Sequence, residues 1–182
     1  MKATGIVRRI DDLGRIVIPK EIRRTMRIRE GDPMEIFTSR EGEILLKKYS
    51  PVGELGEFAL ALAESMAQTL GALVCVTDRD YVIAVAGNGK KELEGKVIDE
   101  ALQRAIDQRV YQVCTKEKKE YIKIIQEEGR EFERQAIATI LSHGDSIGAV
   151  VVLGKENGTN SDEALLQVTR TAAGFLGRHM EQ

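Results

Sequence analysis

The chain has 182 residues, 42% hydrophobic and 31% charged, with a formal net charge of −2. That mixture belongs to globular domains, and apolar runs far short of the ~20 residues a bilayer requires argue against a membrane-spanning helix. With two cysteines, no Cys-x-x-Cys pair and no signal peptide, the expected compartment is the reducing cytoplasm.

The charge is unevenly placed. Residues 1–29 hold nine cations (Lys2, Arg8, Arg9, Arg15, Lys20, Arg23, Arg24, Arg27 and Arg29) against Asp11, Asp12 and Glu21, a local +6, whereas residues 51–182 carry −6. A cationic end on an acidic protein suits a phosphate backbone, because each cation that meets a phosphate releases condensed counterions. A charge run by itself usually marks a solvated face, but here the arginines are threaded through ordered segments. Residues 2–10 read as a strand, Asp11-Asp12-Leu13-Gly14 as a turn, and Ile16-Val17-Ile18 as a buried strand. Pro19 suits the first position of a helix reaching about Arg27, with Ile22 and Met26 inward and Arg23, Arg24 and Arg27 outward. Arg8, Arg15, Arg23 and Arg24 therefore come from three elements and are expected on one surface. Gly31-Asp32 turns the chain, and strands at 34–38 and 44–46 flank a hairpin loop at Glu41-Gly42. A unit of ~50 residues built this way buries little apolar surface, so dimerisation is the expected remedy. The region has no Cys to supply a disulfide or a Cys-based zinc site.

The segment TGIVRRIDDLGRIVIPKEIRRTMRI at 4–28, followed by Ile44-Leu45-Leu46-Lys47-Lys48-Tyr49, resembles the AbrB-type swapped-hairpin DNA-binding domain of bacterial transition-state regulators. The resemblance implies that two chains interleave their hairpins into one dimeric β-barrel. It implies contact with double-stranded DNA through Arg8, Arg9, Arg15, Arg23 and Arg24, with Lys2 as a further candidate. It also implies a tolerant sequence preference, DNA shape being read alongside a few bases. On this resemblance the protein would regulate sporulation genes, activating some and repressing others. One departure follows the helix, where relatives often carry Gly-Ile and this chain has Arg27-Ile28.

Pro51 and Gly53 interrupt any continuing strand, so the expected organisation is a DNA-binding domain at 1–50, a linker at 51–55 and a second domain at 56–182. Leu55, Phe58, Ala59, Leu62, Met66 and Leu70 recur at the spacing of a helix over 54–70, which Gly71 stops. Residues 72–77 and 81–86 read as strands joined by Asp78-Arg79-Asp80. Residues 97–109 follow as a helix, then an irregular stretch, then strands at 135–142 and 147–153 around His143-Gly144-Asp145. The last helix starts near Asn160-Ser161, its dipole favoured by Asp162 and Glu163, with Leu165, Val168, Ala172, Phe175 and Leu176 expected inward.

This order resembles a GAF domain, a small-molecule sensing module, without the Asn-Lys-Phe-Asp-Glu signature of cyclic-nucleotide binders or a cysteine placed for a bilin. The expected fold class is α+β: a swapped-hairpin β-barrel dimer followed by an α/β sandwich with an antiparallel sheet. The second domain would sense an unidentified small molecule or mediate oligomerisation. Ala and Gly on the apolar sides of its first and last helices suit burial on their own sheet or a bundle between subunits, the latter giving a homotetramer, a dimer of dimers.

Other motifs fail. Gly87-Asn88-Gly89-Lys90-Lys91-Glu92 ends in Glu where a dinucleotide loop needs Gly, and 89–97 is one residue too long for a phosphate loop. Cys75 and Cys114 read as buried reduced thiols, and neither His143 nor His179 has a catalytic companion. No metal site, cofactor or enzymatic activity is expected. Two rivals stand beside the regulator: an antitoxin of the swapped-hairpin superfamily with a short toxin-binding tail, and a metabolic ligand-binding protein whose basic end is incidental.

Overall fold

The computed structural model describes residues 4–127, 132–155 and 160–181. Lys2 lies outside the described residues. The chain divides into two compact units, Met1–Tyr49 and Ser50–Gln182.

In the first unit, Pro19 precedes helix α1 (Lys20–Thr25), and strands β1 (Met34–Thr38) and β2 (Ile44–Lys48) form an antiparallel hairpin pairing Met34 with Lys48 and Thr38 with Ile44. Two expectations need correction. Residues 4–10 and 16–18 form no strand within one chain, and Ile16 and Val17, expected buried, are 52% and 72% exposed. A strand exists only through a neighbour's N–H and C=O groups, and among the described residues of this unit β1 and β2 pair only with each other. Met26, expected inward, is likewise 52% exposed. Ile6, Ile10, Ile36 and Ile44 are also exposed, an apolar area of the kind that marks an interaction surface.

The second unit opens with a further correction: residues 51–55 are folded rather than a linker. Pro51–Glu54 is a short helix, α2, whose first position takes Pro51 and whose Val52 is buried in the core. Ser50 caps it by accepting from Gly53 N at 3.1 Å, while its own hydroxyl donates to Asp78 Oδ2 at 2.7 Å. Helix α3 (Gly56–Leu70) ends as expected on Gly71, at φ +61°. Strands β3 (Leu73–Thr77) and β4 (Val82–Ala86), helix α4 (Glu100–Asp107), strands β5 (Tyr111–Thr115), β6 (Arg134–Ser142) and β7 (Asp145–Gly154), and helix α5 (Asp162–His179) complete the unit. All five strands join one antiparallel sheet in the order β4-β3-β7-β6-β5. The turn between β6 and β7 is two residues, His143 and Gly144, both at positive φ (+47° and +86°), as the right-handed twist of a hairpin requires.

Helix α4 is shorter than expected. Val97 and Ile98 form isolated bridges to Tyr81 and Ile125, and Asp99 caps the helix by accepting from Ala101 N at 2.9 Å. The stretch after α4, expected to be irregular, contains β5. It is held to the sheet by the buried Gln135 amide, which donates to Ile122 O at 3.1 Å and accepts from Ile122 N at 3.2 Å.

The sheet has an apolar layer on each face. On one, α3 and α5 pack Ala59, Ala63, Ala172, Ala173 and Leu176 against Val74, Val76, Ala138 and Val150. On the other, α4 brings Leu102, Ala105 and Ile106 over Cys75, Val85, Ile137 and Val151. Many of the helix residues on the first side are small, among them Ala59, Ala63, Ala172 and Ala173, which lets the helices approach the sheet closely. Phe175 and Val168, expected inward, stay 44% and 39% exposed along the flank. There Phe58 of α3 stacks on His179 at 4.6 Å between ring centroids and lies 5.4 Å from Phe175. Cys75 is fully buried and its thiol is pushed up to about 12 by loss of hydration; burial also raises Cys114.

Candidate nucleic-acid interface

Among the described residues of the first unit, local backbone devices set where the basic side chains leave the chain, and Arg15 is also held through its side chain. Arg8 and Arg9 sit on the segment entering the first turn, and both are exposed. The turn is organised by Asp11, whose Oδ1 accepts from Leu13 N at 3.0 Å and Arg15 N at 2.8 Å. Gly14, at φ +74°, gives the left-handed geometry, and the Asp11 amide donates to Arg15 O at 3.0 Å to close the loop. The other carboxylate oxygen of Asp11 accepts from Arg15 Nε at 2.8 Å, so Arg15 leaves the turn oriented yet 69% exposed. The Arg15 backbone amide, then its guanidinium, hold the Asp11 carboxyl below its ordinary value.

Arg23 and Arg24 are neighbours on α1, both exposed. The helix C-terminus lies two residues on, and its geometry decides where these guanidinium groups project. Met26 N donates to Ile22 O at 2.9 Å and Ile28 N reaches back to Arg23 O at 2.8 Å, a Schellman-type closure that puts Arg27 in the left-handed region at φ +54°. Glycine is the usual residue there. The departure at Arg27-Ile28 therefore falls on the one position of the helix end where a Cβ is strained.

A partly buried ion pair supports that end. Lys48 Nζ, from β2, donates to Arg27 O at 2.9 Å and to Asp32 Oδ2 at 2.8 Å, and the same Asp32 oxygen accepts from Arg29 N at 2.8 Å. The Asp32 side chain is 3% exposed. Burial pushes its carboxyl up, but the hydrogen bonds from Lys48 and the Arg29 amide outweigh burial and hold it below the ordinary carboxylate value. A carboxyl depressed on folding contributes stability that is complete above its unfolded value, 3.8, and lost as pH falls through the lower folded value. Thermal melts should therefore show stability declining below about pH 4, and Asp32→Asn should flatten that limb relative to wild type. Parallel acid limbs for the two proteins would rule this out.

An apolar groove of about 240 Å³ runs beside α1, lined by Ile6, Ile16, Val17, Ile22, Met26 and Leu46, with Arg8 at its edge. The residues that would be core in a larger body are thus open in a single copy, while the arginines lie on and around the same elements. Among the described residues no three His, Cys, Asp or Glu side chains come together as a metal site, and no helix is long and apolar enough to cross a membrane.

A family model described as the C-terminal, transcription-factor part of stage V sporulation protein T matches residues 54–181. Over all 182 residues the chain is 50% identical to stage V sporulation protein T of Bacillus subtilis, covering the whole of both.

This chain belongs to the stage V sporulation protein T family.

Its first part is 51% identical over 69 residues to the transition state regulatory protein AbrB of Bacillus subtilis, covering 35% of this chain and 71% of that relative. A model described as MazE, a bacterial antitoxin, matches residues 7–54. The second unit has the fold of the GAF domain of an Acinetobacter phosphoenolpyruvate-protein phosphotransferase, at a TM-score of 0.54 and 11% identity over 74% of this chain and 84% of the other. For this member of the stage V sporulation protein T family, sequence reasoning singles out the arginines but misses the groups that hold them. Asp11 could have been found four residues before Arg15, an ion-pair spacing; Asp32 reads only as a turn residue, and Lys48 lies 21 residues from its carbonyl partner.

Proposed function

We propose that the protein is a DNA-binding regulator of sporulation-gene transcription, working in the cytoplasm and activating some promoters while repressing others. Residues 1–50 bind duplex DNA through Arg8, Arg9, Arg15, Arg23 and Arg24, with Lys2 as a further candidate contact. Two copies interleave these residues into one barrel, covering the apolar side chains that a single copy exposes and presenting two related arginine clusters to the two-fold duplex. The observation that carries this reading is the set of five exposed arginines, drawn from the entering segment, the turn and α1, on a unit whose apolar residues face outward.

The second unit serves assembly or sensing. The half-exposed Phe175 beside Phe58 and His179, with Val168 exposed on the same helix, is suited to contact between copies, which would join dimers in pairs. A cleft of about 960 Å³ bordered by Leu73, Gly87, Asn88, Gly154 and Asn160 is of ligand size. The antitoxin match at 7–54 fits the same small fold, yet a folded sandwich occupies the place of the short toxin-binding tail such a protein would carry.

Fluorescence anisotropy of the full chain with a labelled mixed-sequence duplex tests the reading. Affinity should fall steeply with salt, the logarithm of the binding constant dropping by about 0.9 per phosphate neutralised for each log unit of salt. Binding that is absent at low salt, or unchanged by salt, would reject it.

A further inference from the structure

The Lys48 ammonium makes a bond that phosphate binding itself does not require, and its partners lie at the one strained point of the arginine helix. We propose that Lys48, with Asp32, is a positioning residue for DNA binding: it clamps Arg27 in the left-handed conformation and so fixes the direction in which Arg23 and Arg24 leave α1. The inference rests on the DNA-binding reading above and deepens it.

A six-residue helix has almost no intrinsic stability, so the orientation of its side chains depends on how its last carbonyls are closed. The bond from Ile28 N to Arg23 O closes it only while Arg27 stays at φ +54°. An L residue resists that conformation, and the closure would open without support. Lys48 supplies the support by binding the Arg27 carbonyl itself, at 2.9 Å, and it is anchored by a carboxylate already fixed by the Arg29 amide. The ammonium side chain is 23% exposed, turned toward these oxygens rather than outward. It holds the helix end in a geometry that glycine would adopt unaided.

That difference gives the test, a comparison of Lys48→Met in two backgrounds, the natural Arg27 and Arg27→Gly, using the full-length protein and a fluorescein-labelled mixed-sequence duplex. With Arg27 present, K48M should lower affinity about tenfold, the scale of shift that left-handed strain on one L residue represents. With glycine at 27 the same substitution should change affinity by less than about twofold, because no strained residue is left to hold. An equal loss in both backgrounds would overturn the proposal and make Lys48 a direct phosphate ligand, with the salt slope falling by about 0.9. An unchanged affinity in K48M would overturn it as well. Since K48M strands the buried Asp32 carboxylate, D32N/K48M replaces it in both backgrounds if the single variant does not fold. Amide exchange at Ile28 reads the clamp without DNA: K48M should accelerate it and R27G/K48M should restore protection, while identical exchange in all variants sinks the proposal. Failure of the wild-type protein to bind any duplex would refute the DNA-binding reading instead, leaving the exchange result to judge the clamp.

Discussion

Replacing Arg23 and Arg24 together by alanine should weaken duplex binding at least a hundredfold at near-physiological salt, taking about 1–3 kcal/mol for each arginine removed. Both side chains are exposed on α1, and the helix is closed by backbone amides and carbonyls with the Lys48 ammonium, so secondary structure and thermal stability should hardly change. In a two-fold assembly each substitution counts twice, removing four guanidinium groups from the DNA surface. The salt slope separates the two roles of arginine. It drops by about 0.9 for every phosphate no longer neutralised, whereas removing a residue that reads guanine edges costs affinity for the preferred sequence. A double variant with wild-type affinity and slope would place DNA binding elsewhere on the chain.

The second large effect is at a glycine. Gly177 lies on the face of α5 pressed to β6, where a Cβ would come within 2.0 Å of Leu141 O, a backbone atom. Alanine there must push the helix off the sheet, and we expect Gly177→Ala to destabilise the second unit by about 3 kcal/mol or more, at the upper end of overpacking costs. Gly174, three residues earlier on the same helix, is the control. Its Cβ would meet only the tip of Arg178 at 3.7 Å, so Gly174→Ala should stabilise the helix by up to about 1 kcal/mol, the propensity difference. Urea unfolding of the two variants gives the comparison; a loss at Gly177 no greater than at Gly174 would refute the close-packing account.

The same helix shows what can be read from sequence. Spacing places α5 correctly and finds Ser161 near its start, where the hydroxyl accepts from Ala164 N at 3.1 Å. The spacing is right for Leu165, Ala172 and Leu176, which are buried, but Val168 and Phe175, also read as inward, stay partly exposed while the smaller Thr169, Ala173 and Gly177 are buried instead. A hydrophobic stripe identifies a helix more securely than it identifies the atoms that meet the neighbouring layer. In the first unit the arginines, the Asp11 turn and the β1–β2 hairpin are legible as local patterns. The exposure of Ile16 and Val17 in a single copy is not, because a short continuous apolar run says that something will cover it without saying whether its own chain can. Strand β5 is hidden for a related reason. Its residues Tyr111 to Thr115 alternate weakly, and what secures them is pairing with β6, with Gln135 pinning the segment that follows through bonds between residues 13 apart.

The outward-facing apolar side chains of the first unit have a dosage consequence. In the proposed assembly, where two copies complete one core, pairing follows mass action, so the pool of competent regulator grows faster than the number of chains synthesised. Below a threshold abundance most copies would be idle; above it, a modest rise in expression would recruit a disproportionate share, making promoter occupancy switch over a narrow range of supply.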